Sequence, residues 1–212
     1  MKALYIHVKR ILDILILLVF FPVWLPLMLI ISLTVKLTSK GPVFFTQKRV
    51  GKDHTFFIIY KFRSMYTEAP KEVPTHLLKN PGAFITPVGK LLRKLSLDEL
   101  PQIINIFKGE LTLVGPRPAL WNQDDLIAER EKYGANGITP GLTGLAQVMG
   151  RDELPIPVKA RYDGEYRANM GLLPDVKILL LTFFAVFRSE GVVEGGTGAL
   201  ENTNDSDDEV TS

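Results

Sequence analysis

Residues 14–35 carry no charged side chain: 22 consecutive residues, mostly Leu, Ile, Val and Phe, interrupted by Pro22 and Pro26. As a straight helix they would measure about 33 Å, enough to cross the hydrocarbon core of a bilayer. The stretch is longer than the apolar region of a secretory signal and no small-residue cleavage site follows it, so it is expected to stay attached. Two details oppose a straight span. Each proline removes a backbone donor and crowds the preceding turn, so the helix should kink or break at Pro22 and Pro26. Both flanks are basic, with Lys2, Lys9 and Arg10 before the segment and Lys36, Lys40, Lys48 and Arg49 after it, and positive residues favour the cytoplasmic side. A helix-break-helix hairpin, with arms of about 10 residues and 15 Å, enters one leaflet and returns, which meets both conditions. A single kinked span is the alternative.

The remaining sequence reads as globular. The whole chain is 46% hydrophobic and 23% charged over 212 residues, which excludes global disorder and a polytopic membrane protein and leaves room for one domain with appendages. It has no cysteine, and His7, His54 and His76 are scattered, so disulfides, thiolate zinc sites and histidine metal clusters are not expected. The net charge of +2 hides an asymmetry: residues 201–212 hold five acids and no base, leaving 25 bases against 18 acids in the rest. That basic body suits an anionic partner.

Local patterns divide the chain into a membrane hairpin (1–40), a body (41–198) and an acidic tail (199–212) expected to be disordered. Residues 43–47 and 55–62 are aromatic and β-branched, with turn residues at 51–53, and predict a β-hairpin. Residues 67–82 read as a loop. Helices are predicted at 87–95 and 99–108; in the second, Leu100, Ile103, Ile104 and Phe107 fall on one face and Gly109 occupies the terminating position. A helix over 123–133 would be capped by Asn122 and stopped by Gly134. A structured loop with a short strand is expected over 138–150, then helices at 157–169 and 174–188, the latter begun by Pro174. Its apolar run, too short to span, is either a buried core helix or one lying in the membrane interface.

Phosphate-loop, dinucleotide and zinc-protease signatures are absent, and Asp205-Ser206-Asp207, which imitates a metal-binding DxD, falls in the tail. More informative is the run 93–102, where Arg93 and Lys94 lie one turn before Asp98 and Glu99 at a helix start. The carboxylates can cap that helix, through a Ser96-x-x-Glu99 box or with Asp98 as N-cap, or they can do chemistry; the run alone leaves both readings open. Lys61 and Arg63 end a predicted strand. Arg117 sits between two prolines in Gly115-Pro116-Arg117-Pro118, a stiff setting in which a planar guanidinium is well placed to hold phosphate oxygens.

These stretches resemble the bacterial sugar transferase family, small monotopic phosphoglycosyl transferases acting on a polyprenol phosphate. The matching residues are FTQKRVG (45–51), YKFRSM (60–65), RKLSLDELPQIIN (93–105), KGELTLVGPRPAL (108–120) and PGLTGLAQVMGRDE (140–153), which follow one another in order through the body. The last of these and residues 119–123 look most like enzymes of capsule or O-antigen synthesis that use N-acetylated, often 6-deoxy, UDP-sugars; UDP-glucose or UDP-galactose is the alternative.

The resemblance implies an α/β fold of the helix-rich α+β kind on a re-entrant membrane helix, at the cytoplasmic face of the bacterial inner membrane. It implies transfer of sugar 1-phosphate from a UDP-sugar to undecaprenyl phosphate with release of UMP, with the phospholipid bilayer as a third partner and no nucleic acid. Asp98 would be the nucleophile and Glu99, with Asp98, would hold Mg²⁺. Lys61, Arg93 and Arg117 would contact phosphate or nucleotide, as would Arg63 and Arg151. The family often has a Ser-Pro pair at the membrane break, where this chain has Phe21-Pro22, so the hydroxyl that would satisfy a freed carbonyl is missing.

Overall fold

The computed structural model describes residues 2–70, 81–150 and 154–188. The apolar segment forms two helices, α1 (Lys2–Val19) and α2 (Phe21–Thr38), separated at Phe20. Pro22 lies in the first turn of α2, where a missing N–H removes no intrahelical bond. The break expected at Pro26 is not there: α2 runs through that proline. The arms are 18 residues each rather than about 10, because α1 starts at Lys2 and takes Lys9, Arg10 and Asp13 into the helix. A different donor stands in for the missing hydroxyl. The Trp24 indole N–H donates to the Leu17 carbonyl (2.8 Å) in the last turn of α1, and its ring meets Phe21 edge-on and Phe107 at a tilt.

Both arms grip the body. On α1, Lys9 pairs with Asp175 (2.5 Å), Arg10 donates to the carbonyls of Ile106 and Phe107, and Asp13 accepts from the Thr112 hydroxyl and the Leu113 amide. Lys9 and Arg10 are therefore engaged by protein and are not free topological charges. Leu17 enters the main core with Phe57, Ile59, Ile103, Ile106 and Leu111, while Ile31 and Val35 of α2 pack on Phe62 and Leu92. The other sides of the arms are bare, with Leu15, Leu18, Val23, Leu29, Ile30 and Leu33 exposed. Among the described residues, α2 is the one helix long and apolar enough to cross a membrane.

The predicted hairpin is present as β1 (Phe44–Val50) and β2 (Phe56–Phe62), antiparallel from Phe44↔Phe62 to Val50↔Phe56. Asp53 and His54 turn the chain with left-handed backbone. Helix α3 (Pro87–Lys94) is capped by the Thr86 hydroxyl, which accepts from the Gly89 amide (2.9 Å). Gly89 is pressed on the chain just beyond β2, where a Cβ would fall 1.9 Å from the Ser64 carbonyl oxygen. The helix expected over 99–108 starts later: Leu97–Gln102 is a 3₁₀ turn and only Ile103–Lys108 is α-helical, as α4. Pro101 lacks the amide an α-helical ladder needs, and the tighter winding before Ile103 changes the phase. The buried face is accordingly Gln102, Ile103, Asn105 and Ile106, while Phe107 is exposed. Gly109 ends the helix at φ 84° as expected.

The short strand expected within 138–150 is β4 (Gly141–Thr143), and it lies parallel to β3 (Thr112–Val114), a partner that was not legible in the sequence. Three-residue strands are too short to show a period. Beyond β3, a Cβ on Gly141 would fall 2.1 Å from the Gly115 nitrogen, so the two backbones close up only because both residues are glycine. Helix α5 (Asp124–Glu131) begins after Gln123 rather than Asn122, without a side-chain cap, and α6 (Leu145–Gly150) occupies part of the expected loop. Helices α7 (Ile156–Asn169) and α8 (Leu172–Arg188) follow as predicted. The core-helix reading of α8 fails, however. Asp175 and Ile178 face inward, but Leu173, Val176, Leu180, Phe183 and Phe184 are exposed. The fold is thus helix-rich α/β with small sheets. Most of the 67–82 loop, Arg151 and the acidic tail with its Asp205-Ser206-Asp207 lie outside the described residues.

Candidate active site

Three pieces of backbone meet at Asp98 and Glu99. The 3₁₀ turn presents the carboxylates, β2 brings Lys61, and the chain after β3 brings Arg117. The Gly115–Pro118 tetrapeptide is tied on both sides: the Gly115 amide donates to Thr143 O, the Gly141 amide to Pro116 O, and the Val50 amide to Ala119 O. Arg117 is thereby suspended between the two sheets. Its guanidinium donates to Glu99 Oε1 (2.9 Å), which also accepts from Lys61 Nζ (2.7 Å). Arg93, in the last turn of α3, adds its charge to the field on Asp98.

Capping does not account for the carboxylates. The residue before the turn, Ser96, is left-handed and makes no side-chain capping bond, and Asp98 lies inside the 3₁₀ turn rather than at an N-cap. Burial pushes the Asp98 carboxyl up, assisted by neighbouring Glu99 and opposed by Lys61, Arg93 and Arg117. Burial also works against the Glu99 carboxylate, but Arg117 and Lys61 outweigh it and hold that group far below the usual range. Lys61 is pushed down by burial, with Glu99 opposing. The pair is thus differentiated: Glu99 is locked as a charged anchor for two cations, whereas Asp98 is the carboxylate whose charge is unfavourable until something further neutralises it.

Among the described residues no group of three or more His, Cys, Asp or Glu could hold a metal, which leaves the two adjacent carboxylates. An oxygen-only set of one or two carboxylates completed by substrate phosphates fits Mg²⁺.

One of the cations expected at the site is elsewhere. Arg63 is buried and turned away, donating to the carbonyl and hydroxyl of Ser39 at the end of α2 (2.8 and 2.7 Å). The strand ends at Phe62, so alternation no longer sends Arg63 to the side taken by Lys61. Arg151 falls outside the described residues. One cation was missed: Arg49 on β1 donates to Pro118 O (3.0 Å) and Gln47 (2.5 Å) and acts on Lys61. Its place in the FTQKRVG stretch was the available signal.

The sequence matches the description "bacterial sugar transferase" over residues 4–189. It is 34% identical over 197 residues to the exopolysaccharide production protein ExoY of Sinorhizobium fredii, covering 86% of this chain and 87% of that one. It is 37% identical to an Aeromonas hydrophila UDP-N-acetylgalactosamine-undecaprenyl-phosphate N-acetylgalactosaminephosphotransferase, over 90% of this chain and 46% of the relative. An undecaprenyl-phosphate glucose phosphotransferase of Komagataeibacter xylinus is 38% identical over 74% of this chain and 31% of its own length. Helices, cations and carboxylates all fall within the matched span, and the chain belongs to the bacterial sugar transferase family, as a transferase of substituted phosphate groups.

Proposed function

We propose that the chain transfers sugar 1-phosphate from a UDP-sugar to undecaprenyl phosphate, releasing UMP, and so begins a surface polysaccharide or glycoconjugate such as a capsule or O-antigen. The observation that carries this reading is the pairing of a half-buried Asp98 with an adjacent Glu99 already neutralised by Lys61 and Arg117. A UDP-sugar brings the diphosphate this cationic rim lacks. Asp98 attacks the β-phosphorus, the bond from that phosphorus to the bridging oxygen breaks, and UMP leaves with that oxygen. Sugar phosphate is left on Asp98. An oxygen of undecaprenyl phosphate then attacks the same phosphorus, freeing Asp98 and forming a diphosphate-linked sugar. Lys61, Arg93 and Arg117 hold the equatorial charge through both steps. Mg²⁺ held by Asp98 and Glu99 would supply further charge neutralisation.

An N-acetylated sugar, with or without a 6-deoxy carbon, is the preferred donor on the motif resemblance, with UDP-glucose or UDP-galactose as the second reading. The relatives named for N-acetylgalactosamine and for glucose are about equally similar, so the donor is decided by assay. A panel of UDP-sugars incubated with the enzyme, Mg²⁺ and undecaprenyl phosphate should give UMP with one class; no UMP with any of them sinks the reading.

The enzyme sits on the cytoplasmic face of the bacterial inner membrane, with α1 and α2 as re-entrant arms and α8 in the interface. Support comes from the break at Phe20, from both arms packing on one body, and from the bare apolar sides of all three helices. Single cysteines at positions 2 and 40 should both be labelled from the cytoplasm; periplasmic labelling of position 2 removes this topology.

A further inference from the structure

Strand β2 pairs with β1 along one edge and, among the described residues, has no strand on the other. A bare edge leaves alternate amides and carbonyls without partners. At the point that matters for the site, a single side chain takes the place of the missing strand. Asn105, on α4, is fully buried. Its Oδ1 accepts from the Tyr60 amide (3.1 Å) and its Nδ2 donates to the Ile58 carbonyl (2.7 Å). A carboxamide carries the same donor and acceptor as a peptide group, so it can engage residues i and i+2 of a strand as a neighbouring backbone does. The second Nδ2 hydrogen goes to Glu110 Oε2 (2.7 Å). With both donors matched to acceptors, the amide has one workable orientation.

These bonds close a ring. Tyr60 precedes Lys61, Lys61 reaches Glu99, and Glu99 belongs to the turn that runs directly into α4 and Asn105. We propose that Asn105, oriented by Glu110, is a positioning residue that holds the strand carrying Lys61 in register against the segment carrying Asp98 and Glu99. It touches no reacting atom. Its effect passes through the Lys61 ammonium, which moves off Glu99 when the strand edge is released, leaving the cationic rim misplaced for the diphosphate. The activity part of this inference rests on the reaction proposed above; the positional part does not.

The test uses the full chain in lipid nanodiscs. Asn105→Ala leaves the Tyr60 amide and Ile58 carbonyl unmatched. Asn105→Asp is nearly isosteric but sets a carboxylate against the Ile58 carbonyl and Glu110; adding Glu110→Gln returns a donor to the new carboxylate. The first readout is independent of turnover: acylation of lysines by an acetyl N-hydroxysuccinimide ester, followed by mass spectrometry. Lys61 should label at least about fivefold faster in Asn105→Ala while exposed Lys52 is unchanged, because the Lys61 side chain, half-buried against Glu99, becomes accessible to the reagent. The second is the UMP burst with the active UDP-sugar, where the burst rate should fall about tenfold or more with KM within about threefold, the mark of a defect in the reacting geometry. Asn105→Asp/Glu110→Gln should recover part of the loss seen in Asn105→Asp. Wild-type labelling of Lys61 in folded Asn105→Ala overturns the inference, as does a burst rate equal to wild type. A wild-type enzyme without a burst fails the proposed reaction, and the labelling result still decides the role of Asn105. If Asn105→Ala does not fold, the labelling and rescue comparison of the two Asp variants decides it.

Discussion

Two clusters of charge lie in this small body, one buried and one half-buried, and they are built to opposite ends. In the one joining α1, β3, α7 and α8, every group is answered from within. Lys9 lies between Asp13 and Asp175, Asp13 takes the Thr112 hydroxyl and Leu113 amide, and Asp175 takes the Tyr166 hydroxyl. In the cluster at the 3₁₀ turn, Lys61, Arg93 and Arg117 surround two carboxylates, Lys61 and Arg117 both contact Glu99, and burial pushes the Asp98 carboxyl up. The closed cluster fixes the first arm to the body. The other carries surplus positive charge, which a substrate diphosphate can complete. Charge withdrawn from water costs free energy unless it is balanced, so a cluster whose cations outnumber its carboxylates marks a candidate binding site.

Mutation of one carboxylate from each cluster gives the sharpest contrast. Asp98→Asn should lower turnover by more than about 10⁴-fold and abolish the sugar-phosphate adduct proposed for wild type, as read by intact mass, with little change in thermal midpoint. Retained turnover would end the distinction between the clusters. Asp175→Ala should do the reverse, destabilising the fold by about 3–5 kcal/mol because Lys9 is left buried beside too few partners, while turnover per folded molecule stays near wild type; a thermal melt in nanodiscs measures it. Next in size, Arg93→Lys and Arg117→Lys should each lower kcat/KM by about tenfold, since an ammonium replaces a planar fork. Normal rates in both would remove the arginines from the site.

The smallest effect is a slope. Glu99 is held below its ordinary value, so as pH falls the unfolded chain takes up its proton first. The stability from its ion pairs is complete above about pH 4.3 and is lost as pH drops toward the folded value. Asp98, raised by burial, contributes in the opposite sense: its share of stability is greatest in acid and falls as pH rises from the unfolded to the folded value. Melting between pH 3 and 6 should therefore show a flatter acid limb in Glu99→Gln and a steeper one in Asp98→Asn than in wild type. The same slope in both variants would mean that the two carboxylates are not differentiated.

The sequence exposed what is local and periodic. The hairpin, α3, α7 and α8 follow from patterns that fit inside a short window, and Lys61, Arg93, Asp98, Glu99 and Arg117 were named from their motifs and are brought together by the structure. What stayed hidden depends on distant partners or on winding. Pro101 shifts the turn before α4 to a 3₁₀ form and exposes Phe107, which a uniform helical period buries. Arg63 was expected at the phosphates and instead fastens the end of α2, because strand alternation stops one residue earlier. Arg49 and Asn105 act on residues 69 and 45 positions away, and no window of sequence reveals such a pairing. The Trp24 indole shows how one unfilled role, the absent serine hydroxyl, was met by a residue with a different donor.

The closed cluster also sets a timetable. Lys9 is made 166 residues before its partner Asp175, an interval of roughly 10 to 30 s at ordinary rates of bacterial synthesis. Throughout it the first arm has left the ribosome with a cation and an apolar face, and the last helix that will secure them does not yet exist. On the membrane placement proposed above, the lipid surface shelters that arm while it waits. The nascent chain would then dock on the bilayer before its body folds, and the arrival of α8 would be the event that locks an already anchored helix into place.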